Sequence, residues 1–240
     1  MNKVVVITGG GTGVGRAVAL ECARQGWTAV IVGRRAAPLD ETVEHASGRP
    51  GRVIPHVADV SDEAAVRALA DRVAREFGTV GALVNSAGIN VAQRALEHLA
   101  VDDFRKLVDV NLTGAFLCVH AFLPMMRRAG GGTIVNVNSV AGLRANPVSG
   151  AAYTASKFGL RGLTQTINME QRKHGIRACD IFPGEIDTPL MDVRPQPPTP
   201  EQRAKMLHSD DLAACVMLVL NLPPRAVIEE ITIRPGSAQI

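Results

Sequence analysis

The sequence predicts a doubly wound α/β fold, in which a seven-stranded parallel sheet lies between two layers of helices. Three observations predict this class. The chain has 240 residues, enough for one large domain with a substantial core. Short apolar, β-branched runs alternate with helical stretches from end to end. The first of these runs, residues 3–7, continues directly into a glycine-rich turn and then into a helix. We therefore expect a single domain over residues 1–240.

Taken in order, the patterns assign each element of this fold. Strands are expected near residues 3–8, 28–32, 52–57, 81–85, 132–138, 176–182 and 227–233. Helices are expected to begin near residues 13, 38, 62, 101, 151 and 209, and the fourth is expected to run to about residue 128. Four prolines in residues 194–200 preclude regular structure there, so we expect a loop, followed by a short helix over residues 201–207.

The glycine-rich turn occupies residues 8–15, between the first strand and a helix over residues 16–23. Glycine lets the backbone approach a ligand, and the N-terminus of a helix presents free N–H groups to anionic oxygens. A glycine cluster alone is equally typical of a flexible turn. Its position between a strand and a helix favours a cradle for a pyrophosphate. The turn therefore predicts a Rossmann-type dinucleotide-binding domain with the architecture of a three-layer sandwich.

The second strand ends in Gly33, Arg34 and Arg35. Proteins that bind NAD usually place an acidic residue at this point, where it binds the 2′-hydroxyl of the adenosine ribose. Two guanidinium groups suit a 2′-phosphate instead, because they form charge-assisted and often bidentate hydrogen bonds. A solvated basic turn would show the same residues. The pattern favours NADP(H) as the cofactor, with NAD(H) as the alternative.

The chain contains a single tyrosine, Tyr153, and Lys157 follows it four residues later. Side chains four residues apart share one face of a helix. A nearby cation favours the phenolate and lowers the pKa of a tyrosine from its usual value of about 10. The pair predicts a proton donor and acceptor that works near neutral pH. An ordinary helix surface would also place these two residue types four apart.

Together, these motifs resemble the short-chain dehydrogenase/reductase family, in its shorter, single-domain branch. The resemblance covers nearly the whole chain. Residues 8–15 match the TGxxxGxG turn, residues 85–88 match NNAG with Ser86 in place of the second asparagine, and residues 183–188 match PGxxxT. The resemblance implies that the cofactor is bound by Thr8, Gly9, Gly11, Thr12, Gly13, Val14, Gly15, Gly33, Arg34, Arg35, Asp59, Val60, Asn85, Ala87, Gly88, Tyr153, Lys157, Pro183, Gly184, Ile186 and Thr188.

Asn111, Ser139, Tyr153 and Lys157 match the catalytic tetrad of the same family. The resemblance implies that Tyr153 is the general acid and base, and that Lys157 stabilises its phenolate and binds the nicotinamide ribose. Ser139 would hold the substrate oxygen, and Asn111 would hold a water in a relay to Lys157. A serine after a strand is often only a cap, and an asparagine inside a helix is often only a satisfied polar group. The interval between Ser139 and Tyr153 is one residue longer than the family pattern, which bears on specificity.

These motifs predict an oxidoreductase that interconverts a ketone and a secondary alcohol with NADP(H). The alternatives are an NAD(H)-dependent dehydrogenase of the same family, an epimerase or dehydratase on the same scaffold, and an NADP(H)-binding sensor or scaffold without turnover. The resemblance also implies that a loop at about residues 188–208 closes over the substrate. The expected pocket is mainly apolar and is lined by Ile89, Asn90, Ala141, Leu143, Val148, Glu185, Leu190 and Met191.

Composition argues against several other classes of protein. The net charge is +3, the 26 lysines and arginines are scattered, and aromatic residues make up 3%, so nucleic acid is not an expected partner. No apolar run approaches the roughly 20 residues that span a bilayer. The first strand begins at residue 3, so we expect no leader and a cytoplasmic protein. The four cysteines and six histidines lack the spacing of a metal site, so we expect no metal.

The helix near residues 101–128 carries more apolar positions than one face of a sheet needs. Surplus apolar surface indicates an interface between subunits, and the family commonly assembles through helices of this kind. We therefore expect a homotetramer, with a dimer as the alternative. A thicker core would give the same pattern. The apolar residues concerned are Phe104, Leu107, Phe116, Leu117, Phe122, Leu123, Met125 and Met126.

Overall fold

The computed structural model describes residues 3–236, and within them seven parallel strands form one sheet in the order β3-β2-β1-β4-β5-β6-β7. This confirms the predicted doubly wound α/β class. The limits expected for the domain, residues 1 and 240, lie outside the described residues. The strands are β1 (Val4–Thr8), β2 (Thr28–Gly33), β3 (Arg52–Val57), β4 (Ala82–Asn85), β5 (Gly132–Val137), β6 (Ile176–Pro183) and β7 (Glu230–Ile233).

The central strands are apolar because both faces of the sheet are covered. Every residue of β1, β4 and β6 is buried. One core cluster packs β1 and β2 against the helices α1 (Gly13–Arg24), α2 (Ala36–His45) and α8 (Ser209–Asn221). The other packs the opposite face against α3 (Glu63–Phe77), α5 (Gly114–Arg128) and α6 (Ala151–Gln171). Helix α4 (Val101–Val108) packs on α6.

The chain reverses its direction across the sheet between β1 and β4, which are neighbours in space. In open α/β sheets a crevice forms at the carboxyl ends of the strands at such a reversal, and ligands bind there. The glycine turn follows β1, and residues 86–88 follow β4. The topology therefore places these two motifs side by side.

The helix expected over residues 101–128 is continuous, but it is not a regular α-helix. A π turn at Asp109–Thr113 joins α4 to α5. Asn111 lies in this turn and is buried. π turns accommodate one extra residue in a helix and often occur at functional sites. No residue type in the sequence marks this one.

Two other elements are shorter than the sequence predicts. The short helix α7 is Pro200–Arg203 rather than residues 201–207, and Pro200 fits its first turn, where an N–H group is not needed. Strand β7 begins at Glu230, three residues later than expected. The carbonyl of Ala226, four residues before the strand begins, accepts a hydrogen bond from Arg177 instead of pairing in the sheet.

By length and composition alone, the helix Val101–Arg128 is apolar enough to cross a membrane. Polar residues such as Asp109 and His120 interrupt it, so it contains no unbroken apolar run of about 20 residues. The apolar side chains of Leu107, Cys118, Phe122 and Met126 are fully buried against the rest of the fold. Their burial accounts for much of the apolar composition of this helix.

Arg177 in β6 is buried without a carboxylate within 4 Å among the described residues. Its guanidinium donates to the hydroxyl of Thr133 at 3.1 Å and to four carbonyl oxygens at and beyond the C-terminus of α8. The last turn of a helix leaves C=O groups without partners inside the helix, and Arg177 supplies a donor at this end of α8. Arg177 thus attaches α8 to the sheet. The carbonyls belong to Val219 (3.4 Å), Leu222 (2.8 Å), Pro223 (2.7 Å) and Ala226 (2.6 Å).

Candidate active site

A cavity of about 680 Å³ opens at the carboxyl ends of β1, β4, β5 and β6. It brings together residues that lie far apart in the sequence. Of the predicted site residues, those lining it are Gly9, Thr12, Gly13, Val14, Ala87, Gly88, Ser139, Tyr153, Lys157, Pro183, Gly184, Ile186 and Thr188.

The glycine turn forms one end of this cavity. Gly9 and Gly13 have φ angles of +68° and +51°, which favour glycine. A Cβ at Gly15 would lie 2.3 Å from the carbonyl oxygen of Gly9, so any other residue would displace the turn. Thr12 caps α1 without a side-chain hydrogen bond, which leaves the N–H groups of the first helical turn available. This arrangement fits a pyrophosphate.

Several predicted residues support the cavity without lining it. The hydroxyl of Thr8 accepts hydrogen bonds of 3.1 Å from the backbone N–H groups of both Ser86 and Ala87, which ties the glycine turn to the segment after β4. Asn85 is buried and donates to Asn136 on the neighbouring strand at 2.8 Å. Gly11 packs against Pro38 of α2.

The predicted 2′-phosphate corner lies outside the cavity, at the end of β2. Arg34 is 55% exposed, and its only carboxylate neighbour among the described residues is Asp59, at 3.9 Å. Arg35 precedes the first turn of α2, and Gly33 is the last residue of β2. Val60 packs against Gly114 of α5. The corner therefore presents exposed guanidinium groups to the solvent.

The predicted catalytic side chains Tyr153, Lys157 and Ser139 converge where β5 meets α6. The Nζ atom of Lys157 lies 5.6 Å from the centroid of the Tyr153 ring and donates to the carbonyl of Val137 at 2.8 Å. Ser139 follows β5 and caps a short 3₁₀ turn, where its hydroxyl accepts from the N–H of Ala141 at 3.1 Å. The helical spacing of four thus places the phenol and the ammonium in one site.

The sign of the pKa shift of Tyr153 differs from the sequence-based expectation. Burial raises the pKa of Tyr153, and a hydrogen bond with Ser139 and the charge of Arg94 only partly oppose this rise. Burial also lowers the pKa of Lys157 to about 8, against the opposing charge of Asp180. Desolvation outweighs the neighbouring charges in both groups. The phenol is therefore protonated at neutral pH.

Asn111 does not line the cavity, and its side chain is committed to local partners. Its Oδ1 atom accepts from the N–H of Ile89 at 2.8 Å, and its Nδ2 atom donates to the carbonyl of Ile89 at 3.0 Å. Nδ2 also donates to the hydroxyl of Ser156 at 3.2 Å. A Cβ at Gly88 would lie within 4.0 Å of both Asn111 Oδ1 and Lys157 Nζ. Asn111 thus fixes the backbone beside Lys157.

The segment expected to cover the substrate begins at the far wall of the cavity. Thr188 faces Gly13 across it, at 3.3 Å from the position of a Cβ there. A 3₁₀ helix at Pro189–Val193 follows. Arg203 of α7 binds Asp187 at 2.8 Å and also binds Asp192, so two ion pairs connect the two ends of this segment.

Sequence reasoning missed several polar residues of the site. Asp180 is fully buried in β6 and accepts from the Nδ2 of Asn138 at 3.1 Å, and Asn138 in turn accepts from the N–H of Ser139 at 3.0 Å. Burial raises the pKa of Asp180 to about 7. The cavity is mainly apolar, as the sequence predicts, and of the expected pocket residues only Ala141 and Leu143 do not line it; four arginines, which the sequence did not indicate, line it as well. They lie in loops or next to strand ends, where no periodicity marks them: Arg94, Arg144, Arg194 and Arg234.

Within residues 3–236, no group of three or more His, Cys, Asp or Glu side chains is placed to hold a metal ion.

Comparison with known proteins gives consistent matches. A family model described as short chain dehydrogenase matches residues 3–198. Sepiapterin reductase of Chlorobaculum tepidum is 35% identical over 247 residues, covering 100% of this chain and 99% of the relative. The crystal structure of levodione reductase has a TM-score of 0.90 at 32% identity, covering 98% of this chain and 97% of that one. An alcohol dehydrogenase from the archaeon Thermococcus sibiricus, complexed with 5-hydroxy-NADP, has a TM-score of 0.88 at 29% identity, covering 99% and 98%.

Proposed function

The chain belongs to the short-chain dehydrogenase family of oxidoreductases, and we propose that it interconverts a ketone and a secondary alcohol by hydride transfer with NADP(H). The observation that carries the proposal is one cavity that joins the glycine turn to Tyr153, Lys157 and Ser139. A protein that only binds the dinucleotide needs the glycine turn, but it does not need a phenol that faces the cavity beside a buried ammonium.

Bound NADP(H) would supply or accept the hydride at the carbonyl carbon. In reduction, the phenol of Tyr153 donates its proton to the carbonyl oxygen as the C=O bond becomes a single bond. The hydroxyl of Ser139 donates a hydrogen bond to the same oxygen and shares its developing charge. The ammonium of Lys157 stabilises the phenolate that remains. Alcohol oxidation reverses each of these steps.

The other predicted residues support this chemistry. We propose that the pyrophosphate lies on the glycine turn, the adenine near Asp59 and Val60, and the nicotinamide near Pro183, Gly184, Ile186 and Thr188. The direct support is the set of free N–H groups at the start of α1. We also propose that Asn111 holds a water in a relay to Lys157. Its hydrogen bonds to Ile89 support a second role, in which Asn111 positions the backbone after β4.

Titration with NADPH and NADH, followed by an absorbance screen of ketones, tests the proposal. NADPH binding together with ketone-dependent cofactor consumption is the expected result. Binding of NADPH without consumption in either direction would favour the scaffold, and binding of neither nucleotide would refute both functions. An epimerase or dehydratase of the same scaffold would convert its substrate without net consumption of added cofactor.

We propose NADP(H) rather than NAD(H) because the end of β2 carries exposed guanidinium groups and no carboxylate at Gly33. Replacing Arg34 with Ala should weaken NADPH binding by about 10- to 100-fold, since a charge-assisted hydrogen bond to the 2′-phosphate is lost. NADH binding should change less than about threefold. Isothermal titration measures both dissociation constants.

The matched control is Arg67→Ala, which removes an exposed arginine of α3 whose ion-pair partner is Glu63. It should leave both affinities unchanged. Equal losses for NADPH and NADH in Arg34→Ala would show that Arg34 does not contact the 2′-phosphate.

The pKa of Lys157, lowered by burial to about 8, predicts a pH dependence of the reaction. The ammonium is present below this pKa and absent above it, so the phenolate left by proton transfer loses its stabilising charge as pH rises. Because the pKa of Tyr153 is raised, the phenol itself stays protonated over this range. We expect kcat for ketone reduction, at saturating NADPH, to fall as pH rises through about 8. A constant kcat up to about pH 10 would contradict this assignment.

We also propose a homotetramer, with a dimer as the alternative, in the cytoplasm. Half of the surplus apolar residues of the helix Val101–Arg128 are buried in the core of the subunit, namely Leu107, Phe122, Met125 and Met126. Phe104 and Phe116 remain exposed on that helix, as do Phe158 and Met169 on the neighbouring α6. These four side chains support an interface built from the two helices.

A further inference from the structure

Three segments that border the cavity meet at one buried arginine. Arg94 follows β4 and is only 6% exposed. Its Nε donates to the carbonyl of Val91 at 2.7 Å, its Nη1 to that of Val148 at 3.0 Å, and its Nη2 to that of Val193 at 2.7 Å. Arg94 therefore fixes the segment before α6 and the 3₁₀ helix after Thr188 against the segment after β4.

The cavity has an excess of positive charge. Among residues 3–236, five cationic side chains and one carboxylate, that of Glu185, line it. Glu185 binds Arg194 at 2.8 Å and is itself half-exposed. Among residues 3–236, neither Arg94 nor Arg144 has a carboxylate oxygen within 4 Å. The carbonyl groups around Arg94 satisfy its donors but do not cancel its charge, since an arginine stays protonated.

The phosphates of the cofactor would not neutralise these arginines. In the proposed function they lie on the glycine turn and at the end of β2. Arg94 lies instead against the start of α6, where a Cβ at Gly150 would come within 2.6 Å of its own Cβ. Gly150 precedes Tyr153 by three residues. Arg94 therefore borders the part of the cavity where the substrate would meet Tyr153, and its hydrogen bond to Val193 places the backbone of Arg194 beside it. Arg144 lines the same cavity.

We propose that the substrate is a ketone that carries a carboxylate, and that Arg194 and Arg144 bind this carboxylate. This inference rests on the proposed function. Arg194 is 17% exposed in a concave wall, and Arg144 is exposed at the rim. Partial exclusion of water strengthens an ion pair relative to one on an open surface. Arg94 is the positioning residue, because it holds the two segments that carry Arg144 and Arg194.

Glu185 competes with a substrate carboxylate for Arg194. Its carboxylate occupies one Nη atom of Arg194, so a substrate carboxylate shares or replaces it. A neutral substrate gains nothing from replacing Glu185. The ion pair between Arg194 and Glu185 therefore favours anionic substrates over neutral ones, because only a substrate carboxylate can replace that of Glu185 on Arg194.

The test compares each anionic ketone with its neutral methyl ester. The probes are 4-acetylbenzoate and 4-oxopentanoate, which place the carboxylate at different distances from the carbonyl, each against its ester with NADPH at low salt. For at least one pair, kcat/KM should favour the carboxylate by about 10- to 100-fold, and the preference should shrink as salt is added. Equal values, or a preference for both esters, would overturn the proposal while leaving a working ketone reductase.

Two variants examine the arginine pair directly. Arg194→Gln should lower the ratio of kcat/KM for carboxylate over ester by about tenfold or more, and Glu185→Gln should raise it, because Arg194 is freed. Arg67→Gln changes the net charge by the same amount, and because Arg67 does not line the cavity it should not change the ratio. A ratio unaffected by both Arg194→Gln and Glu185→Gln would overturn the assignment.

A binding measurement separates this inference from the proposed function. If no ketone is turned over, the proposed function fails, but isothermal titration of 4-acetylbenzoate into the protein with NADP⁺ still tests the site. Binding that Arg194→Gln weakens at least tenfold would support a carboxylate site. Absence of binding, or binding unchanged in Arg194→Gln, would refute it.

Discussion

Replacing Tyr153 with Phe should lower kcat for ketone reduction by about 1,000-fold, within the range that general acid catalysis contributes. The variant removes one oxygen and its proton and keeps the ring that faces Lys157. The carbonyl oxygen would then keep the hydrogen bond from Ser139 but lose the acid that transfers a proton to it. NADPH affinity should change less than about threefold, because the glycine turn and the end of β2 are untouched. Steady-state rates and a titration with NADPH measure the two quantities.

The rate and the NADPH affinity together distinguish a loss of the catalytic proton from a disturbance of the fold. A loss of both turnover and NADPH binding would indicate that the variant disturbs the cavity, and the thermal midpoint would then show a change as well. Retention of more than about a tenth of the wild-type kcat would show that another group supplies the proton. The mechanism proposed for Tyr153 would be wrong in that case.

Replacing Arg177 with Met should lower the free energy of unfolding by about 3 kcal/mol, because buried carbonyl groups lose their donor. Methionine keeps much of the length of the side chain but donates no hydrogen bond. Four carbonyls at the C-terminus of α8 and the hydroxyl of Thr133 are affected. The thermal midpoint should fall by roughly 6–12 °C for a protein of this size. Differential scanning calorimetry measures this change.

Arg67→Met is the control for the stability experiment. Arg67 is exposed on α3 and makes an ion pair with Glu63 within the same helix. Such a pair contributes less than about 1 kcal/mol, so the midpoint should move by no more than about 4 °C. Equal shifts for the two variants would mean that the carbonyl contacts of Arg177 do not stabilise the fold.

Much of the architecture was predictable because short-range patterns determine it. The buried strands are continuous apolar runs, and the glycine turn and the pair Tyr153 and Lys157 each lie within one short segment. Their positions relative to one another follow from the order of strands in a parallel sheet. The structure accordingly brings the glycine turn, Ser139, Tyr153 and Lys157 to one cavity.

What the sequence could not predict depends on contacts between distant residues. Arg94 binds carbonyls 54 and 99 residues away, and no local pattern indicates such a partner. Arg177 likewise binds carbonyls more than 40 residues away. The direction of the pKa shift of Tyr153 was also not predictable. The sequence shows the neighbouring lysine, which would lower the pKa of Tyr153, but it does not show the burial that raises it.

The π turn at Asp109–Thr113 takes up one extra residue, so the regular helical turns on either side of it stay in phase. Losing or gaining one residue in those flanking turns would rotate one half of the helix relative to the other by about 100°. Leu107 before the turn and Phe122 after it are both fully buried, so they could not both keep their places. Homologous enzymes should therefore differ in length at loops such as residues 140–150, and engineers who shuffle segments between them should place their junctions outside this helix.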